Sequence, residues 1–342
     1  LKLAQALDSS LFQIILIDHH NYHQFPPLIY QVASSGLEPS SIAFPFRAAF
    51  KRKKNFIFRL ANVIGVEPEQ KQLITSVGEV PYDYLVLACG GTTNYFGNEQ
   101  VAKHSLPMKT LYESMNLRNV LLQNIEKALV SDKPETREAL LTVAIVGGGP
   151  SGVEIAGALA EMKRYVLPKD YPYMETDQFK IHLIDASPRL LQAMSEKSSR
   201  TAAEGLTSLG VEIHHNMMVT DYDGRVLTLG DGTKMNTRTV IWVSGIIANT
   251  VEGIQADSLG RGKRILVDGY NEVQGIPDVF ALGDQCLMTA DPAYPQGHPQ
   301  MAQVAIQQAA LLAKNLKARL TGGKQQTFRY KDLGSMATIG RN

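Results

Sequence analysis

Two cysteines, one tryptophan and a net charge of +1 in 342 residues narrow the reading before any motif is considered. Cys89 and Cys286 lie far apart, and neither falls in a C-x-x-C or C-x4-C pair. That excludes a disulfide scaffold, a zinc ribbon and a vicinal redox dithiol. A charge so near zero gives no long-range field for nucleic acid, and the one dense basic run, residues 51–54 (KRKK), reads as a solvated loop. No apolar run approaches the ~18 residues of a membrane-spanning helix. What remains is an ordinary globular composition, 44% apolar, with length for about two domains.

What the chain does have is glycine at a strand end. Residues 143–162, VAIVGGGPSGVEIAGALAEM, read as strand, tight turn and helix, with Gly147, Gly149 and Gly152 spaced G-x-G-x-x-G. The first glycine permits the turn, the second lets backbone approach a pyrophosphate, and the third lets helix and strand pack closely, while the helix N-terminus offers N–H groups to the anion. Such a unit needs an acid at the end of its second strand. Asp185 closes the run KIHLID, further away than the usual ~20 residues because the polar segment 165–178 intervenes.

Upstream, residues 13–18 (QIILID) form an apolar strand ending in Asp18. This is either the second half of another dinucleotide unit, whose first half precedes Leu1, or an acid that caps a strand. His19, His20 and His23 lack carboxylate or cysteine partners and suit no single strand face, so no metal site is expected. Residues 56–89 alternate like a β-meander, and the run 84–91 (YLVLACGG) ends in small residues, Ala88 and Gly90 among them, where backbone can pass close to a nucleotide. Residues 106–140 read as one connecting helix. A helix at about 195–209 follows, then a hairpin at Asp231-Gly232 and a strand ending at Gly245. A strand 279–282 stops at Gly283-Asp284, which puts a carboxylate at the sheet edge where open α/β folds bind ligands. The last element reads as a helix from Pro299 to about Leu320. Gln303 and Gln307 lie four apart on it among alanines, Ala302 included, so that a planar molecule could lie close and meet two amides; the alternative is an ordinary helix with exposed glutamines.

Together, YHQFPPLIYQVASSGLEPSSIAFPFR, YDYLVLACGGTTNYFG, GGGPSGVEIAGALAEM, FALGDQC and GHPQMAQVAIQQ resemble the type II NADH dehydrogenases, flavoenzymes of the pyridine-nucleotide oxidoreductase superfamily. The resemblance covers essentially the whole chain. It implies an α/β protein of two Rossmann-like dinucleotide-binding domains, each a parallel sheet with a β-meander, the first incomplete at its N-terminus. Residues 1–105 and 266–342 would be the two segments of an FAD domain, and 106–265 the NADH domain. FAD, NADH and a quinone acceptor are implied, without proton pumping. By position, Asp18, Gln31, Ala88, Gly90, Gly283, Asp284 and Ala302 fall on the flavin side, and Gly147, Gly149, Gly152, Asp185 and Gly245 on the NADH side. Glu154, two residues into the helix, is implied to position nicotinamide and relay protons; its other reading is a first-turn acid favoured by the helix dipole. Gln303 and Gln307 match the quinone-site segment.

Cys89 stands where the superfamily commonly has threonine, a better hydrogen-bond partner. Both ends, LKLAQAL and SMATIGRN, read as cut, with a C-terminal amphipathic region expected to attach the enzyme to the cytoplasmic side of a membrane. A homodimer is compatible with the resemblance. Asp185, with no base directly after it, favours NADH over NADPH, and Arg189 argues the other way. The rival readings are a soluble NAD(P)H-dependent flavoprotein reductase with another acceptor, and a non-catalytic nucleotide-binding module.

Overall fold

The strand before the glycine turn, Thr142–Val146, is buried along its whole length, and a parallel sheet forms around it. In this computed structural model, which describes residues 2–340, five strands lie in the order Leu106–Pro107, Thr239–Trp242, Thr142–Val146, Lys180–Ile184 and Val211–His214. Every pairing is parallel. Central strands covered on both faces read as continuous apolar runs, which is what AIV and LI in this sheet are. An antiparallel meander, Val219–Tyr222, Val226–Leu229 and Lys234–Asn236, packs on one face through Tyr222, Leu227 and Leu229 against Ala144, Val146, Ile184, Val240 and Trp242. Trp242 fills core there and donates its indole N–H to the Asn94 carbonyl at 2.9 Å.

Residues 106–140 are two helices rather than the single one expected. Leu111–Leu129 opens with a capping box, Thr110 accepting from the Glu113 N–H while the Glu113 carboxylate accepts from the Thr110 N–H. It ends at Val130, and Pro134 then starts a second helix, Pro134–Leu141, as proline can at a first turn and cannot in a helix interior. Leu117, Leu121 and Ile125 form the buried stripe of the first helix.

The chain divides into two compact units. This sheet and its meander form one of them, with residues 24–43, 93–245 and 335–342; the other takes residues 1–23, 44–92 and 246–334. The segment 24–43, whose helix Ile29–Ala33 carries Gln31, therefore packs with the sheet just described, against helices Leu111–Leu129 and Pro150–Glu161.

The other unit contains parallel pairs: Ile14–Asp18 with Phe56–Leu60, Leu85–Leu87 with Val279–Ala281, and Ile265–Val267 with Cys286–Met288. Its meander is Val63–Glu67, Gln72–Thr75 and Gly78–Pro81, so the strand 56–60, read with the meander from sequence, belongs to the parallel layer instead. A core of Val66, Leu73, Leu87, Val267, Val279, Met288 and Val304 joins the two. The last helix is Ala302–Thr321, closed by Gly322 in the left-handed conformation; Pro299 lies before it, and Met301 is its N-cap. Of the end segments, Lys2–Ala6 is helical, and Leu1, Arg341 and Asn342 lie outside the described residues.

Candidate functional site

In the sheet unit the three glycines of the turn do three different things. Gly147 has φ +119°, and a side chain there would press on the backbone of Val243 and Ser244 at the end of the neighbouring strand. A methyl at Gly152 would overlap the Gly147 carbonyl oxygen. At Gly149 the space a Cβ would fill is open, and this residue is the extended N-cap of helix Pro150–Glu161 with no side chain capping it. An open cradle at a helix N-terminus, with proline at the first helical position, fits a pyrophosphate. Gly245, expected on the same side, has φ +79° and backs onto Phe96 and Asn94.

Asp185 follows the strand Lys180–Ile184, and its carboxylate is anchored. Oδ2 accepts from the Gly148 N–H and Oδ1 from the Ser187 N–H at 2.6 Å, while its own N–H donates to the His214 carbonyl at 2.9 Å. The acid thus sits against the glycine turn, where it can accept from a ribose hydroxyl. Arg189 points its guanidinium at the carbonyls of Met194 (3.1 Å) and Gln192 (2.8 Å), so two of its five N–H donors serve its own loop.

Glu154 is the fifth residue of helix Pro150–Glu161, beyond the first turn, which removes the helix-dipole reading. Its carboxyl is half-buried; burial raises its pKa to about 7, against a smaller lowering from the backbone N–H of Thr338. The folded protein therefore holds a proton that the unfolded chain releases above its ordinary value of 4.5, and the stability linked to that proton is lost as pH rises from there to about 7. Glu154→Gln, which cannot ionise, should accordingly gain thermal stability over wild type at pH 8 and little at pH 5. A melting-temperature difference that stays flat across this range would show that Glu154 is not desolvated.

In the other unit Asp18 ends its strand and accepts from the His20 N–H at 2.8 Å, so it does cap the turn that follows. Ala88 and Gly90 flank Cys89, whose N–H donates to Gln285 Oε1 (3.0 Å) and whose carbonyl accepts from Asn249 Nδ2 (2.8 Å). Gln285 also donates to the Asn249 carbonyl at 2.7 Å. Gly90, at φ +65°, has open space beside it, as close passage of a nucleotide requires. Gly283 is left-handed at φ +67°, a Cβ added there would lie 3.0 Å from that of Ala305, and its N–H donates to the buried Gln308 at 2.7 Å. Asp284 follows in a short 3-10 turn, its carbonyl accepting from Gln300 at 2.9 Å. Gln285, Gln308 and Asn249 thus tie these strand ends together, and in sequence their local signal is only a glutamine after GD and a doubled glutamine at 307–308.

Gln303 and Gln307 each pair with a backbone segment as a strand neighbour would. Gln303 donates to the Gly334 carbonyl (2.9 Å) and accepts from the Leu333 N–H (3.0 Å); Gln307 donates to the Lys331 carbonyl (2.8 Å) and accepts from the Lys331 N–H (3.1 Å). Ala302 begins their helix and is exposed. Gln31 donates to the Tyr30 hydroxyl at 3.1 Å, while its carbonyl accepts from Gly36 and Leu37 and holds the turn after its helix.

Residues 1–309 match the family model described as pyridine nucleotide-disulphide oxidoreductase. Over its full length the chain is 34% identical to a Mycobacterium tuberculosis protein named type II NADH:quinone oxidoreductase Ndh, spanning 75% of that protein. The chain is a type II NADH dehydrogenase of the pyridine nucleotide-disulphide oxidoreductase family. A second M. tuberculosis relative, NdhA, is 31% identical over the whole chain and 75% of its own length. The fold is that of NDH2 from Plasmodium falciparum, solved in complex with NADH, with a TM-score of 0.90 at 21% identity over 99% of this chain and 86% of the other. The α/β architecture and the family expected from the motifs therefore both hold.

Proposed function

We propose that this enzyme is an NADH:quinone oxidoreductase that does not pump protons. Bound FAD supplies the redox chemistry, accepting a hydride from NADH and handing two electrons to a quinone. The observation that carries the reading is the glycine cradle with Asp185 docked on it, within a chain that aligns from end to end with a type II NADH:quinone oxidoreductase.

Gly147 and Gly152 hold the turn, the open side of Gly149 receives the NADH pyrophosphate, and Asp185 accepts from the adenosine ribose; Gly245 belongs to the same strand edge. A carboxylate there repels a 2′-phosphate, and the Arg189 guanidinium is turned towards the carbonyls of Met194 and Gln192 in its own loop, which supports NADH over NADPH. On the flavin side Asp18 would take the ribose, Ala88 and Gly90 would let backbone approach, Gly283 and Asp284 would bind ribityl and phosphate, and Ala302 would border the same cofactor. Gln285 and Gln308 fix the two strand ends that do this. Glu154, with a pKa of about 7, holds or releases a proton at working pH, as quinone reduction requires. Gln303 and Gln307 are positioning residues for the acceptor side, shaping it through the backbone at 331–334. Quinones reside in lipid, so the enzyme works at a membrane surface, and we assign it to the cytoplasmic face where NADH is produced. No described helix is long and apolar enough to cross a membrane.

In FAD-loaded enzyme, replacing Gln303 and Gln307 together by alanine should leave the anaerobic rate of flavin bleaching by NADH unchanged and raise the KM for a short-chain quinone by roughly fivefold or more, as expected for lost hydrogen bonds of ~1 kcal/mol each. Unchanged quinone kinetics would remove both glutamines from the acceptor side.

A further inference from the structure

The sheet unit brings together three side chains that the NADH chemistry does not use. Strands Lys180–Ile184 and Val211–His214 run parallel with His182 opposite Glu212 and Ile184 opposite His214. Because side chains alternate along a strand, that register puts His182, Glu212 and His214 on one face. His182 Nδ1 lies 3.1 Å from His214 Nε2 and 3.4 Å from Glu212 Oε2, and ligand atoms of all three residues lie within 4.8 Å of one another. We propose that these residues form a site for one divalent metal ion of the zinc class, on the open edge of the nucleotide-binding sheet.

The spacing favours a shared cation over a hydrogen-bonded cluster. Bonds of about 2.0–2.1 Å to imidazole nitrogen and carboxylate oxygen place neighbouring tetrahedral ligands about 3.3 Å apart, which the two separations from His182, 3.1 and 3.4 Å, already meet. A single proton on His182 Nδ1 can satisfy His214 or Glu212, not both. A metal ion accepts lone pairs from all three atoms at once. Two imidazoles and one carboxylate are a nitrogen-oxygen donor set that suits zinc, with water completing the coordination.

The surroundings agree. Val211–His214 is the last strand of the sheet, so an ion can enter from solvent; the Glu212 side chain is 60% exposed, and that of His182 only 10%. Lys180, a neighbouring cation, is paired with Glu138 at 2.8 Å. An ion held by both strands would pin the sheet edge.

Chelator-treated, FAD-loaded protein titrated with zinc chloride in a calorimeter should take up one equivalent with a Kd on the order of 1 μM or tighter. Glu212→Gln and His214→Ala alter half-buried or exposed side chains and leave the fold intact, which a melting curve checks; each should weaken binding at least about tenfold. A His19→Ala, His20→Ala variant should keep the equivalent. Absence of binding in the parent protein, survival of the equivalent in both Glu212→Gln and His214→Ala, or its loss with His19 and His20 would each overturn the site.

Discussion

Gly152→Ala should remove tight NADH binding, because the added methyl overlaps the Gly147 carbonyl oxygen and neither partner can yield. Gly147 is pinned in a left-handed turn against the backbone of residues 243–244, and Gly152 is buried in a helix packed on the central strand. The helix must move off the strand, at a cost of about 1–3 kcal/mol in stability, and the cradle opens with it. We expect NADH affinity to fall at least tenfold, measured by nucleotide fluorescence titration, with a lower melting temperature. Gly149→Ala is the matched control. Its methyl enters open space, so stability should hold while NADH binding still weakens, since that space is where the pyrophosphate lies. If Gly152→Ala binds NADH like wild type, the cradle is in the wrong place.

Asp185→Ala should separate the two nicotinamide cofactors. The lost carboxylate takes with it its bonds to the N–H groups of Gly148 and Ser187 as well as the proposed bond from the ribose. Hydrogen bonds to a charged group are worth about 1.5–3 kcal/mol, so NADH affinity should drop by roughly 10- to 100-fold. NADPH, which the same carboxylate repels, should lose much less, and the NADH to NADPH ratio of anaerobic bleaching rates at subsaturating nucleotide should fall. Parallel loss of both would mean that Asp185 supports the turn and does not select the cofactor.

How much of this was legible in the chain follows from how local each feature is. The glycine turn, Asp18 and Asp185 each end a short apolar strand, and strand, turn and acid are neighbours in sequence; the structure puts them where the spacing requires. The clamps were invisible for the opposite reason. Cys89 meets Gln285 across 196 residues and Gly283 meets Gln308 across 25, and nothing in either segment announces the other. Gln303 and Gln307 were correctly placed on one helical face, but their amides are engaged by a backbone segment that periodicity cannot see. Pro134 was a readable break in the helix read over 106–140; the apolar stripe that continues past it hid the break. The His182, Glu212 and His214 cluster depends on the register of two parallel strands joined by a long crossover, and sequence spacing carries no register for such a pair.

The central claim is that one flavin stands between NADH and a quinone, and two successive anaerobic mixings test it. NADH should bleach the yellow FAD-loaded enzyme, and a short-chain quinone added next should restore the colour within turnover time, far faster than air does in a parallel sample. Colour that NADH leaves unchanged, or that returns no faster with quinone than with oxygen, would contradict the account.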